Sequence, residues 1–96
     1  MKSDYSHLPM AEQNERNAVH SAVIRLLREE RERQGVSNYE LAPKAGLSAS
    51  TLSLIERELR NPTLDTLLRI AGVLEVELGE LLIQASAEVR KRGKKK

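Results

Sequence analysis

The 96-residue chain has no cysteine, no phenylalanine and no tryptophan, and Tyr5 and Tyr39 are its only aromatic residues. Without thiols there is no disulfide framework and no thiolate metal site. With so few rings, the core has to be built from Leu, Ile, Val and Ala, a set that favours helices over strands. Histidine is scarce as well: His7 and His20 stand far apart and give no metal-ligand spacing, so neither a metal nor another cofactor is expected. No apolar run is long enough to span a bilayer, and residues 1–17 lack the apolar stretch of a signal peptide. These absences predict a soluble, cytoplasmic protein with no membrane partner.

The length suits one domain, in which folding buries roughly 65% of the unfolded chain's surface. Sixteen basic residues face fourteen acidic ones, for a net charge of +2 and a pI near 9.2. That balance is uneven along the chain. Residues 1–17 carry two basic and three acidic groups, residues 18–88 eight and eleven, and residues 89–96 six and none. The basic pI is therefore made by the Arg-Lys-Arg-Gly-Lys-Lys-Lys end, and net charge does not argue that the rest binds nucleic acid. The basic tail either adds a sequence-independent grip on phosphates or keeps the chain soluble.

Three segments follow from composition and periodicity. Residues 1–17, polar and broken by Pro9, read as a flexible arm, residues 18–88 as a helical domain, and residues 89–96 as a self-repelling tail. Within the domain, Val19, Ala22, Val23, Leu26 and Leu27 make a helical stripe that stops at Gly35. Ser37 and Glu40 form a capping box for a short helix carrying Leu41, Ala42 and Ala45, ended by Gly46. Ser48 caps a third helix running to about Glu58, with Leu52, Ile55 and Leu59 on its inner face. Asn61, Pro62 and Thr63 break the chain, and Leu64, Leu67, Leu68, Ala71 and Leu74 mark a fourth helix. A fifth follows Glu77, with Leu78, Leu81, Leu82 and Ala85 inward. The expected fold is all-α, a compact five-helix bundle, and almost no chain is left over for a ligand-sensing or catalytic domain.

The segment SNYELAPKAGLSASTLSLIE, residues 37–56, joins two short helices by a tight turn at Ala45, Gly46, Leu47 and Ser48. Glycine there allows a positive φ, and Leu47 plugs the angle between the helices, which is the physical recipe of a helix-turn-helix. Together with IRLLREERERQGVS before it and RNPTLDTLLRIAGVLEVELGELL after it, the segment resembles the Cro and lambda-repressor-like (Xre) family of DNA-binding proteins. The resemblance spans residues 20–83 and rests on Arg31, Leu41-Ala42, Gly46, Ser48, Ile55-Glu56 and Asn61-Pro62 at their mutual spacings. It implies a sequence-specific, repressor-like transcription regulator that binds double-stranded DNA as a homodimer, on half-sites about 34 Å apart, with the third helix in the major groove.

An independent helical wheel puts Ser50, Ser53, Leu54 and Arg57 opposite the apolar face. With Ala49 at the helix start, the base-reading candidates are Ala49, Ser50, Ser53 and Leu54. The serine hydroxyls suit base edges or phosphates, and Leu54 suits a thymine methyl or, alternatively, a protein interface. None supplies the bidentate contact that discriminates bases sharply, so modest direct readout helped by DNA shape is expected. By resemblance, phosphate contacts fall to Asn38, Thr51, Arg57, Arg60 and Asn61, while Lys44 reads better as a solvated surface residue. Arg31 and Glu56 match a family salt bridge that positions the third helix. Three residues depart from the family pattern: Pro43 lies inside the second helix, Glu58 stands for the usual Gly, and Asn38 for the usual Gln.

Val76, Leu82 and Ile83 are candidate dimer contacts, unless they complete the monomer core. Small repressors, restriction-modification controllers and antitoxins all share this plan. The alternative function is a protein-interaction module, antitoxin-like or adaptor-like, with weak DNA reading; the Ala/Ser/Leu-rich surface of the third helix speaks for it. An enzyme is not expected, because no Ser/His/Asp or Cys/His arrangement is present and the carboxylates alternate with Arg and Lys as on solvated faces.

Overall fold

A computed structural model describes residues 10–93, with side chains described for residues 14–92. The first nine residues of the expected arm and the last three lysines of the tail lie outside the described residues. The described residues form five helices: α1 (Met10–Arg33), α2 (Asn38–Lys44), α3 (Ala49–Glu56), α4 (Leu64–Leu74) and α5 (Leu78–Gly93). The fold is all-α, as its residue pattern predicts.

The outer helices exceed their predicted lengths. α1 starts at Met10, within the predicted arm and ahead of the predicted start at Ala18. The added segment MAEQNERN has no apolar stripe for periodicity to detect, but most of its residues are good helix formers, and extending a helix is far easier than nucleating one. At the other end, α5 runs through Arg90–Arg92 to Gly93. Its packing along α1, the most extensive helix pair in the fold, offsets the repulsion of those cations.

The core is aliphatic. Ala22, Val23, Leu26 and Leu27 of α1 meet Leu41 and Ala42 of α2, Leu52 of α3, Ile70, Ala71 and Leu74 of α4, and Leu78 and Ala85 of α5. Two expected core positions fail. Leu59 is 64% exposed, because α3 ends at Glu56 and the chain turns before Leu59 can extend the helical face. Leu82 is 40% exposed, because α5 turns Leu78 and Ala85 inward, leaving Leu81 only partly buried. On α4 the buried face runs through Thr66, Ile70, Ala71 and Leu74, which leaves Leu64 and Leu68 in solvent.

All four connections close with one hydrogen-bond pattern. Gly35, Gly46, Glu58 and Glu75 adopt φ of 71°, 74°, 60° and 60°. The next residue in each case, Val36, Leu47, Leu59 or Val76, then donates its N–H to a carbonyl five residues back, at 2.8 to 3.1 Å. This left-handed closure satisfies carbonyls that the helix end leaves orphaned. Glycine adopts that conformation freely, so the two glutamates are held in it by their surroundings.

Candidate nucleic-acid interface

α2 opens on the predicted capping box: Glu40 N–H donates to Ser37 Oγ at 3.1 Å, and Ser37 N–H to the Glu40 carboxylate at 2.8 Å. The bond from the Ser37 backbone N–H, with that from its side chain, holds the Glu40 carboxyl below its ordinary pKa. Pro43 leaves α2 intact through Lys44. It removes only the bond its N–H would have given to the carbonyl of Tyr39, while both helix ends remain capped. The chain then reverses through Ala45 and Gly46. Leu47 packs against the core, and Ser48 caps α3 by accepting the Thr51 N–H at 3.0 Å.

Arg69 of α4 reaches back to this turn. Its Nη1 donates to the Ala45 carbonyl at 3.1 Å, and its Nε sits 3.1 Å from Asp65 Oδ2. A Cβ on Gly46 would fall 2.6 Å from Arg69 Nη1, so a side chain there would make the flexible arginine swing away from the Ala45 carbonyl, while the positive φ is what calls for glycine. No periodicity or short motif points to Arg69, since its partner is a main-chain carbonyl in a turn far from it in the sequence.

The far end of α3 is held by α1. Arg31 Nε and Nη2 donate to the two Glu56 carboxylate oxygens at 2.7 and 3.0 Å, and Nη1 donates to the Val36 carbonyl at 2.7 Å. The two side chains are 13% and 12% exposed, so the pair is largely withdrawn from water. The hydrogen bonds to Glu56 raise the Arg31 pKa further above its already high value. Arg28 Nη1 adds a 3.4 Å bond to the Glu56 carbonyl, and Ser21 donates to the Glu58 carboxylate just beyond the helix. The predicted Arg31–Glu56 pair is thus present in bidentate form, whereas the Arg28 and Ser21 contacts carry no sequence signal.

Between these anchors α3 presents a small, polar surface. Ser50 is exposed, Thr51, Ser53 and Leu54 are half-buried, and Ala49 is half-buried against the core. The hydroxyls of Ser48, Ser50 and Thr51 cluster at the start of α3, with Ser48 Oγ donating to Thr51 Oγ1 at 2.9 Å. Arg57, Arg60 and Asn61 follow the helix and are exposed. Asn38 is half-buried at the start of α2; its Oδ1 is buried with no hydrogen-bond partner among the described residues, which leaves outward contacts to its Nδ2. Lys44 is exposed. Of the candidate dimer residues, Val76 is half-buried against the core, while Leu82 and Ile83 are exposed. Among the described residues there is no cluster of His, Cys, Asp or Glu able to hold a metal ion, and no helix long and apolar enough to cross a membrane.

A helix-turn-helix family profile matches residues 27–81, from the end of the α1 stripe into α5. The chain belongs to the lambda-repressor-like helix-turn-helix family. Relatives share its central segment. The HTH-type transcriptional regulator SlrR of Bacillus subtilis is 45% identical over 58 residues, covering 59% of this chain and 38% of SlrR. The regulator SinR of the same organism is 42% identical over 57 residues, 58% of this chain and 51% of SinR. The immunity repressor of Bacillus phage phi105 is 39% identical over 59 residues, 62% of this chain and 39% of that repressor. The chain thus spans between about two fifths and one half of the length of these relatives. No solved structure matches it at a comparable level. In this lambda-repressor-like domain, the matched segment contains both anchors of α3, Arg31–Glu56 and Arg69–Ala45, and excludes most of α1.

Proposed function

We propose that this chain is a sequence-specific DNA-binding transcription regulator of repressor-like type, acting in the cytoplasm, with α3 in the major groove. The observation that carries the reading is the bidentate Arg31–Glu56 pair, which fixes the end of a helix whose free surface is short and polar. Its relatives' printed names, two transcriptional regulators and an immunity repressor, support the same reading. Ser50, Ser53 and Leu54, with Ala49 at the helix start, are the base-reading residues of this proposal. Asn38, Thr51, Arg57, Arg60 and Asn61 hold phosphates on either side, the amide and hydroxyl groups by hydrogen bonds and the arginines by charge. Without a bidentate Arg or Gln on α3, discrimination at each base pair is modest and DNA shape supplies part of it.

The regulator binds as a homodimer through α5, and the exposed Leu82 and Ile83, at 40% and 72%, support that placement. Val76 contributes less, being tied to the core. Sedimentation of Leu82→Glu and Ile83→Glu tests this part: folded monomers support the interface, and unchanged dimers overturn it. Exposed Leu59, Leu64 and Leu68 favour a second reading, in which the domain also docks a protein partner. Selection of bound genomic fragments followed by footprinting separates the two. A symmetric protected site supports the regulator, and binding no better than to random DNA overturns it.

A further inference from the structure

The early turns of α1 lie beside the loop between α3 and α4. Arg16, Asn17 and His20 of α1 line an open groove with Asn61 and Pro62 of the loop. Positions 16 and 20 lie one helical turn apart, with 17 beside them, so the three residues share one side of α1. They line the groove with a guanidinium, a carboxamide and an imidazole beside the Asn61 carboxamide, and among the described residues no carboxylate lines it. Arg16 also lines a second groove, together with Glu15, Val19, Ser86 and Arg90. The lining of the Asn61 groove favours an anionic oxygen. An apolar ligand would find only Pro62 and the stems of polar side chains.

We infer that this groove is an additional seat for the DNA backbone, in which Arg16, Asn17 and His20 contact a phosphate next to the one held at Arg60 and Asn61. The inference rests on the DNA-binding reading above and extends it to a part of α1 outside the matched segment 27–81. Continuity with the loop points to a nucleic-acid phosphate, because the groove opens beside residues already assigned to the backbone. A phosphate seat positions the duplex without reading it, so its loss weakens operator and random DNA by the same factor.

The test is the salt dependence of binding by the full chain, to a short random-sequence duplex and to the selected operator. Arg16→Gln is expected to flatten the slope of log K against log salt by about 0.9 for each duplex, and Asn17→Lys to steepen it by about 0.9 while tightening binding. Asn17 is exposed, so Asn17→Lys melts like the wild type and decides the matter even if Arg16→Gln loosens the fold. Slopes unchanged in both variants, with the wild type still binding, overturn the seat and leave the regulator reading standing. A changed ratio of operator to random affinity also overturns it, since that places the residues on bases. If the wild type binds neither duplex, the regulator reading falls and the seat falls with it.

Discussion

The turn between α2 and α3 and the turn after α3 use the same backbone hydrogen bonds, yet they are secured by opposite means. In the first, Gly46 takes the left-handed φ without strain, Leu47 packs on the core, and Arg69 fills the space a side chain would need. In the second, Glu58 takes the same conformation against its preference, and Leu59, the counterpart of Leu47, is 64% exposed. Polar contacts from α1 hold that end instead: Arg31 and Arg28 on Glu56, and Ser21 on Glu58. One end of α3 is thus set by packing and the other by charge and hydrogen bonds. The polar end is the one followed by Arg57, Arg60 and Asn61, where a bound phosphate backbone would need hydrated, exposed donors.

The contrast can be broken most severely at the polar end. Glu56→Ala leaves Arg31 largely buried without its carboxylate, and is expected to destabilise the fold by about 3 kcal/mol, read by chemical denaturation. At the packed end, Gly46→Ala places a Cβ against Arg69 Nη1 and strains a residue at φ 74°; a loss of about 2 kcal/mol is expected in the same measurement. Equal, small losses in both variants would erase the distinction. Glu58→Gly relieves the left-handed strain but gives up the Ser21 contact and a stiffer unfolded chain, so a net gain of about 0.5 kcal/mol is expected as a raised Tm.

A third turn, at the end of α1, sharpens the comparison through pH. Hydrogen bonds from Arg33, then from Gln34, hold the Glu30 carboxyl at about 2, below the ordinary 4.5. Gln34 Nε2 also donates to the Leu74 carbonyl at 2.8 Å, which links this turn to the end of α4. Because the folded value lies below the unfolded one, the contribution is complete above pH 4.5 and is lost as pH falls from there through 2. Glu30→Gln should therefore flatten the acid limb of stability against pH, followed by circular dichroism: the variant is slightly less stable than the wild type near neutrality, and the two converge as pH falls toward 2. Its main partner, the Arg33 side chain, is exposed to solvent, which makes this the smallest of the four effects.

The capping box at Ser37 and Gly46 as a helix stop were legible in the residues because each is a local pattern, whereas the Arg31–Glu56 pair was legible only through the resemblance to the lambda-repressor-like family. Leu59 and Leu82 were misplaced for a common reason. A helical wheel assumes that the helix continues and that its whole apolar face finds a partner, whereas α3 stops at Glu56 and α5 turns only part of its face to α1 and α4. Arg69 was invisible because its bond to the Ala45 carbonyl depends on how α4 crosses α2.

Sequence alone determined the aliphatic core, the succession of five helices, the helix-turn-helix at residues 37–56 and the origin of the basic pI in the last eight residues. These follow from composition, from apolar period and from capping residues that act within a few positions. Only the tertiary structure decided where α1 begins, which leucines reach solvent, how each end of α3 is anchored, and that Arg16, Asn17 and His20 line one groove with Asn61. Each of those depends on contacts between groups far apart in the chain, and such contacts exist only once packing has brought the helices together.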